Sequence, residues 1–149
     1  MLVLGYFMDD VPNKLLKGIV FNGHKLIGLT ILCLVILRFF WMLINPKPYL
    51  EATRLERLAE RTVHWALYIA LFAMPLAGWI GSVAGGRPPR WGSLVFNLPI
   101  KPGEYVADIA FTLHNKLAII FIVLISLHVL AALFHHFVKK DHVLQRMLP

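Results

Sequence analysis

Three long apolar runs dominate the pattern of the chain. The first covers about 22–44, and its stretch 26–37 carries no charged side chain. The second, 63–83, has twenty-one residues without Lys, Arg, Asp or Glu. The third covers about 111–138 and is free of Lys, Arg and carboxylates from 117 onwards. About 20 apolar residues in a helix cross the hydrocarbon core of a bilayer, and only a helix or a closed barrel satisfies its own backbone there. Each run is therefore predicted as a membrane-spanning helix.

The segments between the runs carry the breaks. Residues 1–8 are apolar but too short to span, and Asp9 and Asp10 end them. They lack a basic flank and a full apolar region, so they do not read as a signal peptide. They read as the tail of a helix whose beginning is absent. Residues 9–23, with Pro12, Asn13, Gly18 and Gly23, are predicted as a short polar connector. Asn45-Pro46-Lys47-Pro48 stops the first span, because proline cannot continue the hydrogen-bond ladder. Glu51, Arg54, Glu56, Arg57, Glu60 and Arg61 form a wet helical lead-in to the second span. Pro75 inside that span is tolerable where neighbours satisfy the freed carbonyl. The stretch 84–110, rich in Gly and Pro, is predicted as the longest connector. Lys139, Lys140 and Asp141 close the third span. The chain is thus read as one all-α membrane domain, 1–149, with three full spans.

Composition removes the alternatives. Hydrophobic residues make up 58% of the chain and charged residues 15%, with a mean hydropathy of +0.69. A soluble domain of this size cannot hide that much apolar surface, and a disordered chain does not carry it. The net charge of +7 comes from 15 Lys+Arg against 8 Asp+Glu. These cations lie mainly between the apolar runs, so lipid phosphates are the expected partners and nucleic acid is not. Counted by side, Lys47, Arg54, Arg57, Arg61, Lys139, Lys140 and Arg146 balance Lys14, Lys17, Lys25, Arg87, Arg90, Lys101 and Lys116, with Arg38 added to the first group. Cys33 is the one cysteine, which rules out an internal disulfide and any cysteine-built metal cluster.

The seven histidines are the candidate chemistry: His24, His64, His114, His128, His135, His136 and His142. Ionisable groups inside spans are expensive and mark function. His114 and His128 stand fourteen residues apart on one predicted helix. At about 100° and 1.5 Å per residue they share a face and lie roughly 21 Å apart. Two haems stacked through a membrane need one axial ligand each at such a spacing. The plain alternative is that each imidazole bonds a neighbouring helix. His24 opens the first span on the side where His114 opens the third, so the two form a candidate bis-imidazole pair. His128 lacks an evident partner. His64, only three residues past Arg61, is expected to lie several Å too shallow.

Several motifs together resemble the bacterial cytochrome b561 family, over nearly the whole chain. They are Gly23-His24-Lys25, the ending Arg38 to Pro48, His64-Trp65-Ala66-Leu67-Tyr68, and Met74-Pro75-Leu76-Ala77-Gly78. Leu113-His114-Asn115 with His128, and His135-His136 with the tail from Lys140, complete the set. The resemblance implies a four-helix transmembrane bundle, here with a truncated first helix. It implies that His24 and His114 hold the iron of a haem b nearer the periplasm, and His128 that of a second haem nearer the cytoplasm. The fourth ligand of the family lies early in its first helix, and no residue here matches it. One haem is therefore expected, and two if that ligand is supplied. His64 is expected near a haem edge or a quinone head group, with a rescue role as ligand for the His128 haem as the lesser reading. Arg38 is a candidate to offset a haem propionate.

The function so implied is electron transfer through haem b in the bacterial inner membrane, to a quinone such as ubiquinone. Superoxide or a redox protein is the donor, the basic surface attracts the anion, and the C-terminus is cytoplasmic. Two rivals stand beside it: a haem-bearing anchor subunit of a larger dehydrogenase or hydrogenase, and a truncated inactive fragment. No nucleophile–base constellation suggests hydrolysis.

Overall fold

The computed structural model describes residues 1–45 and 53–140. The proline stop after Asn45, Glu51 and the tail from Asp141, including His142 and Arg146, lie outside the described residues. The chain forms a short helix α1 (Leu2–Phe7), a 3-10 turn (Met8–Asp10), and the long helices α2 (Lys14–Ile44) and α3 (Arg54–Ala84). A two-stranded hairpin follows, β1 (Arg90–Trp91) against β2 (Leu94–Val95), then α4 (Glu104–Phe134), which continues as a π-helical turn over His135–Lys139. Among the described residues the bundle has four α-helices, and three of them are long and apolar enough to cross a bilayer.

Each long helix exceeds its apolar run. Thirty-one residues rise about 46 Å, enough to pass through the headgroup layers as well as the about 30 Å hydrocarbon core. The predicted connector 9–23 is thereby corrected: only its first part is irregular, and α2 begins at Lys14. Asn13 starts it, its Oδ1 accepting from the amides of Leu15 (2.9 Å) and Leu16 (3.1 Å). Lys17 reaches back to Asp9, 3.5 Å from the carboxylate. Gly18 and Gly23 fall inside the helix, a tolerable penalty of about 1 kcal/mol each. The predicted connector 84–110 likewise shortens to 85–103. The amide of Gly103 donates to Ala84 O at 3.0 Å and α4 starts one residue later, so 104–110 is helical. The wet lead-in is helical as expected. Thr53 and Glu56 close a capping box at its start.

Helix α3 lies between α2 and α4 and packs on both, most extensively on α4. Small residues make this close approach possible, as in membrane bundles generally. Ala70, Ala77, Ala84, Ala107 and Ala110 are buried. At Gly81 an added Cβ would stand 3.0 Å from the Phe111 ring. The outward faces carry exposed Ile27, Leu34, Leu37, Ile120, Val123 and Leu130, which suit lipid. Cys33 is also exposed there.

The hairpin loop is fixed to the bundle. Gly92 takes φ +59° in its two-residue turn, which a Cβ would strain. Asn22 of α2 pairs with the backbone of Arg90 twice: Nδ2 donates to its carbonyl at 2.7 Å, and its amide donates to Oδ1 at 3.0 Å. Trp79 Nε1 donates to Phe96 O at 3.0 Å. The loop therefore folds over the ends of α2 and α3 and closes one end of the space between them. Gly81→Val is expected to destabilise the bundle by about 1–3 kcal/mol by overpacking, read as a shift in SDS-driven unfolding in micelles. Gly18→Ala, with open space at its Cβ, is expected to be neutral or stabilising in the same assay.

Candidate functional site

Chain order levels the histidines. His24 lies ten residues after Lys14, and His114 lies ten after Glu104. The two helices run in the same direction, so both imidazoles sit at one depth. Their ring centroids are 6.1 Å apart, with planes at 77°. Between and beside them lies a cavity of about 690 Å³, bounded by α1, α2, α3, α4 and the hairpin loop. That volume falls within the roughly 300–1,000 Å³ of cofactor pockets.

The local structure prepares both rings. His114 Nδ1 lies 2.8 Å from the carbonyl oxygen of Met74. The carbonyl can only accept, so Nδ1 carries the proton and donates it. The lone pair is then left on Nε2, which is the arrangement of a histidine prepared to bind a metal. Gly78 makes room for this ring: a Cβ there would come within 2.8 Å of Nδ1 and 3.0 Å of Cε1. Gly5 of α1 does the same at His24, where a Cβ would reach 2.9 Å from Cε1. His24 Nδ1 is buried and has no hydrogen-bond partner among the described residues. A buried orphan nitrogen is costly unless something joins it. The facing rings, the two glycines and the cavity together would fit a planar macrocycle whose iron the two imidazoles would hold.

The other pair corrects an expectation. His64 and His128 have ring centroids 5.3 Å apart, with planes at 68°, so His64 is not too shallow. The error came from treating Arg61 as the membrane boundary. Helix α3 starts at Arg54, and an ion pair between Glu56 and Lys139 levels its start with the end of α4. Counted from that pair, His64 is about 12 Å in and His128 about 16 Å in, which brings the rings together. Glu60 Oε1 lies 3.7 Å from His64 Nδ1. Beside them Met42, Arg61, His64, Trp65 and Tyr68 line a hollow of about 210 Å³. That volume suits a head group of one ring.

Arg38 Nε donates to the Tyr68 hydroxyl at 3.0 Å, which puts it in the His64 layer and off the wall of the His24 cavity. It does not face carboxylates of a group held by His24 and His114. His135 and His136 fall in the π-helical turn. Gly5, Gly78 and the Met74 carbonyl had not been singled out as site elements. One signal was available: 24 to 38, 64 to 78 and 114 to 128 are all intervals of fourteen, so each long helix presents one residue to each layer.

Facing imidazoles from separate spans, on a cavity of this size, define a haem-bearing helical membrane protein. The family model described as prokaryotic cytochrome b561 matches residues 1–149. The chain is 37% identical over 132 residues to cytochrome b561 homolog 2 of Escherichia coli (strain K12), covering 84% of this chain and 68% of that protein. It is 36% identical over 93 residues to cytochrome b561 homolog 1 of the same organism, covering 61% of this chain and 52% of that protein. It is 34% identical over 133 residues to the probable superoxide oxidase CybB of Yersinia pestis, covering 85% and 73%. The chain belongs to the prokaryotic cytochrome b561 family, multi-pass membrane proteins that carry electrons on b-type haem.

Gly78→Ala is expected to push the His114 ring off the Met74 carbonyl and to lower the haem-to-protein ratio of purified protein several-fold. Gly23→Ala, off the cavity wall and with open space at its Cβ, is expected to retain it.

Proposed function

We propose that this protein passes electrons from superoxide to a membrane quinone by way of one haem b held between His24 and His114. The observation that carries this is the facing of those two rings at 6.1 Å across the cavity. When bound, the haem supplies reversible one-electron chemistry at its iron. The residues supply the rest. His24 and His114 offer one nitrogen each, and Met74 O holds the His114 proton away from the metal side. Apolar walls exclude water and favour b-type electron transfer over side reactions.

Each superoxide gives up one electron and leaves as dioxygen. A quinone takes two electrons and two protons to become quinol. The name of the Yersinia relative supports superoxide as donor, and the basic groups of the loop side, Lys14, Lys17, Arg87, Arg90 and Lys116, suit an approaching anion. The hollow at His64 and Tyr68 suits the quinone: an imidazole and a hydroxyl there can hydrogen-bond its oxygens and hand on protons. Arg38 fixes the Tyr68 hydroxyl, and His128 backs His64. The loop side is taken as periplasmic and the His64 side as cytoplasmic, in an inner membrane.

His24→Ala and His114→Ala are each expected to abolish the b-type pyridine haemochrome signal. Wild-type levels in both variants would remove the ligand pair. Quantified against protein, the wild type is expected to carry about one haem per chain. A count of two would return His128 to the role of axial ligand for a second haem. Tyr68→Phe is expected to keep the haem and lower superoxide-dependent quinone reduction about tenfold or more, measured with a soluble ubiquinone in detergent.

A further inference from the structure

The loop-side rim of the His24 cavity carries two cations held side by side. Lys25 Nζ donates to the carbonyl of Arg87 at 2.7 Å. The same carbonyl accepts from the Ser82 hydroxyl, and the Arg87 amide donates to Ser82 O at 2.8 Å. The backbone of Arg87 is thus fixed to α3 while the Lys25 ammonium is fixed to the backbone of Arg87. Both side chains line the cavity. Neither has a carboxylate within ion-pair distance among the described residues. Asp9, the one acidic residue on the cavity wall, is engaged by Lys17 at 3.5 Å. Lys25 is half-buried and Arg87 exposed, and two like charges at the mouth of a largely apolar space repel each other. Such an arrangement is stable with an anion between them.

The anion must be carried by whatever fills the cavity. A b-type haem bears two carboxylates, both on one edge of an otherwise apolar disc. Resting on the His24/His114 assignment above, we propose that Lys25 and Arg87 seat the two haem propionates. They thereby fix which edge of the macrocycle points to the loop side. The charge count matches, two cations for two carboxylates. Asn115 and Ser82 on the same wall supply neutral polar groups beside them. The two charges of Lys25 and Arg87 are then neutralised, and Lys14 and Arg90 remain on the loop side to attract an incoming anion.

The test compares haem with its dimethyl ester, which has the same iron and ring but no carboxylate charge. Full-length apoprotein in detergent is titrated with each, in the wild type, Lys25→Gln, Arg87→Gln and the double variant. The low-spin bis-imidazole absorption spectrum reports ligation in every case. The wild type is expected to prefer the free-acid haem at least tenfold, and the double variant is expected to bind both about equally. The midpoint potential of the haem is expected to fall in the double variant, because losing positive charge stabilises the ferric form. A tenfold change in the oxidised-to-reduced ratio corresponds to about 59 mV for a one-electron couple. Lys25→Arg is expected to retain the preference, which separates lost charge from lost fold. A low-spin spectrum with the ester preference unchanged across all variants would overturn the propionate seat and leave the axial pair standing. A wild type that gives a low-spin spectrum with neither compound would overturn both.

Discussion

Everything in this molecule depends on two imidazoles reaching the same depth from two helices that run the same way. In lipid a helix cannot be adjusted by local unwinding, because each freed backbone group lacks a partner. Depth is therefore set by counting from the helix start. Asn13 and Gly103 set those starts, and each histidine follows ten residues inside its helix. Shifting either start by one residue would turn its ring by about 100° and separate the pair.

Helix α3 supplies the second half of the constraint. It contributes neither His24 nor His114, yet it decides where the His114 ring points. The Met74 carbonyl orients the ring and the bare backbone of Gly78 admits it. Because α3 runs opposite to its neighbours, Gly78 meets the His24 layer and His64 meets the His128 layer. The result is two functional levels about 21 Å apart along the bundle, one roomy and closed by the loop, the other small and lined by Tyr68, His64 and Arg61. The first suits a macrocycle. The second suits a single ring with exchangeable protons.

Much of this was legible in the sequence, and the failures share a cause. The three apolar runs gave the spans because hydrophobic length is a direct measure of bilayer thickness. His24 and His114 were legible as a pair because a fixed rise converts numbering into height. Helix ends were misplaced at Lys14 and Glu104, where the pattern turns polar but the backbone continues into the headgroup region. Equating charge with the membrane surface likewise places His64 too high. Gly5 and Gly78 were invisible as site elements, since their role is to leave space, and space follows from packing between helices rather than from a motif. The loop hairpin was missed because its strands are two residues each, below any periodic signal.

The double bond pair between Asn22 and Arg90 has a consequence for assembly. Asn22 is synthesised sixty-eight residues before its partner, so α2 must wait for α3 to cross and return before its loop-side end is covered. Helix α4 emerges last of all, bringing His114 to a chamber whose other walls already stand. Insertion of the final span then completes the wall and brings the two imidazoles face to face.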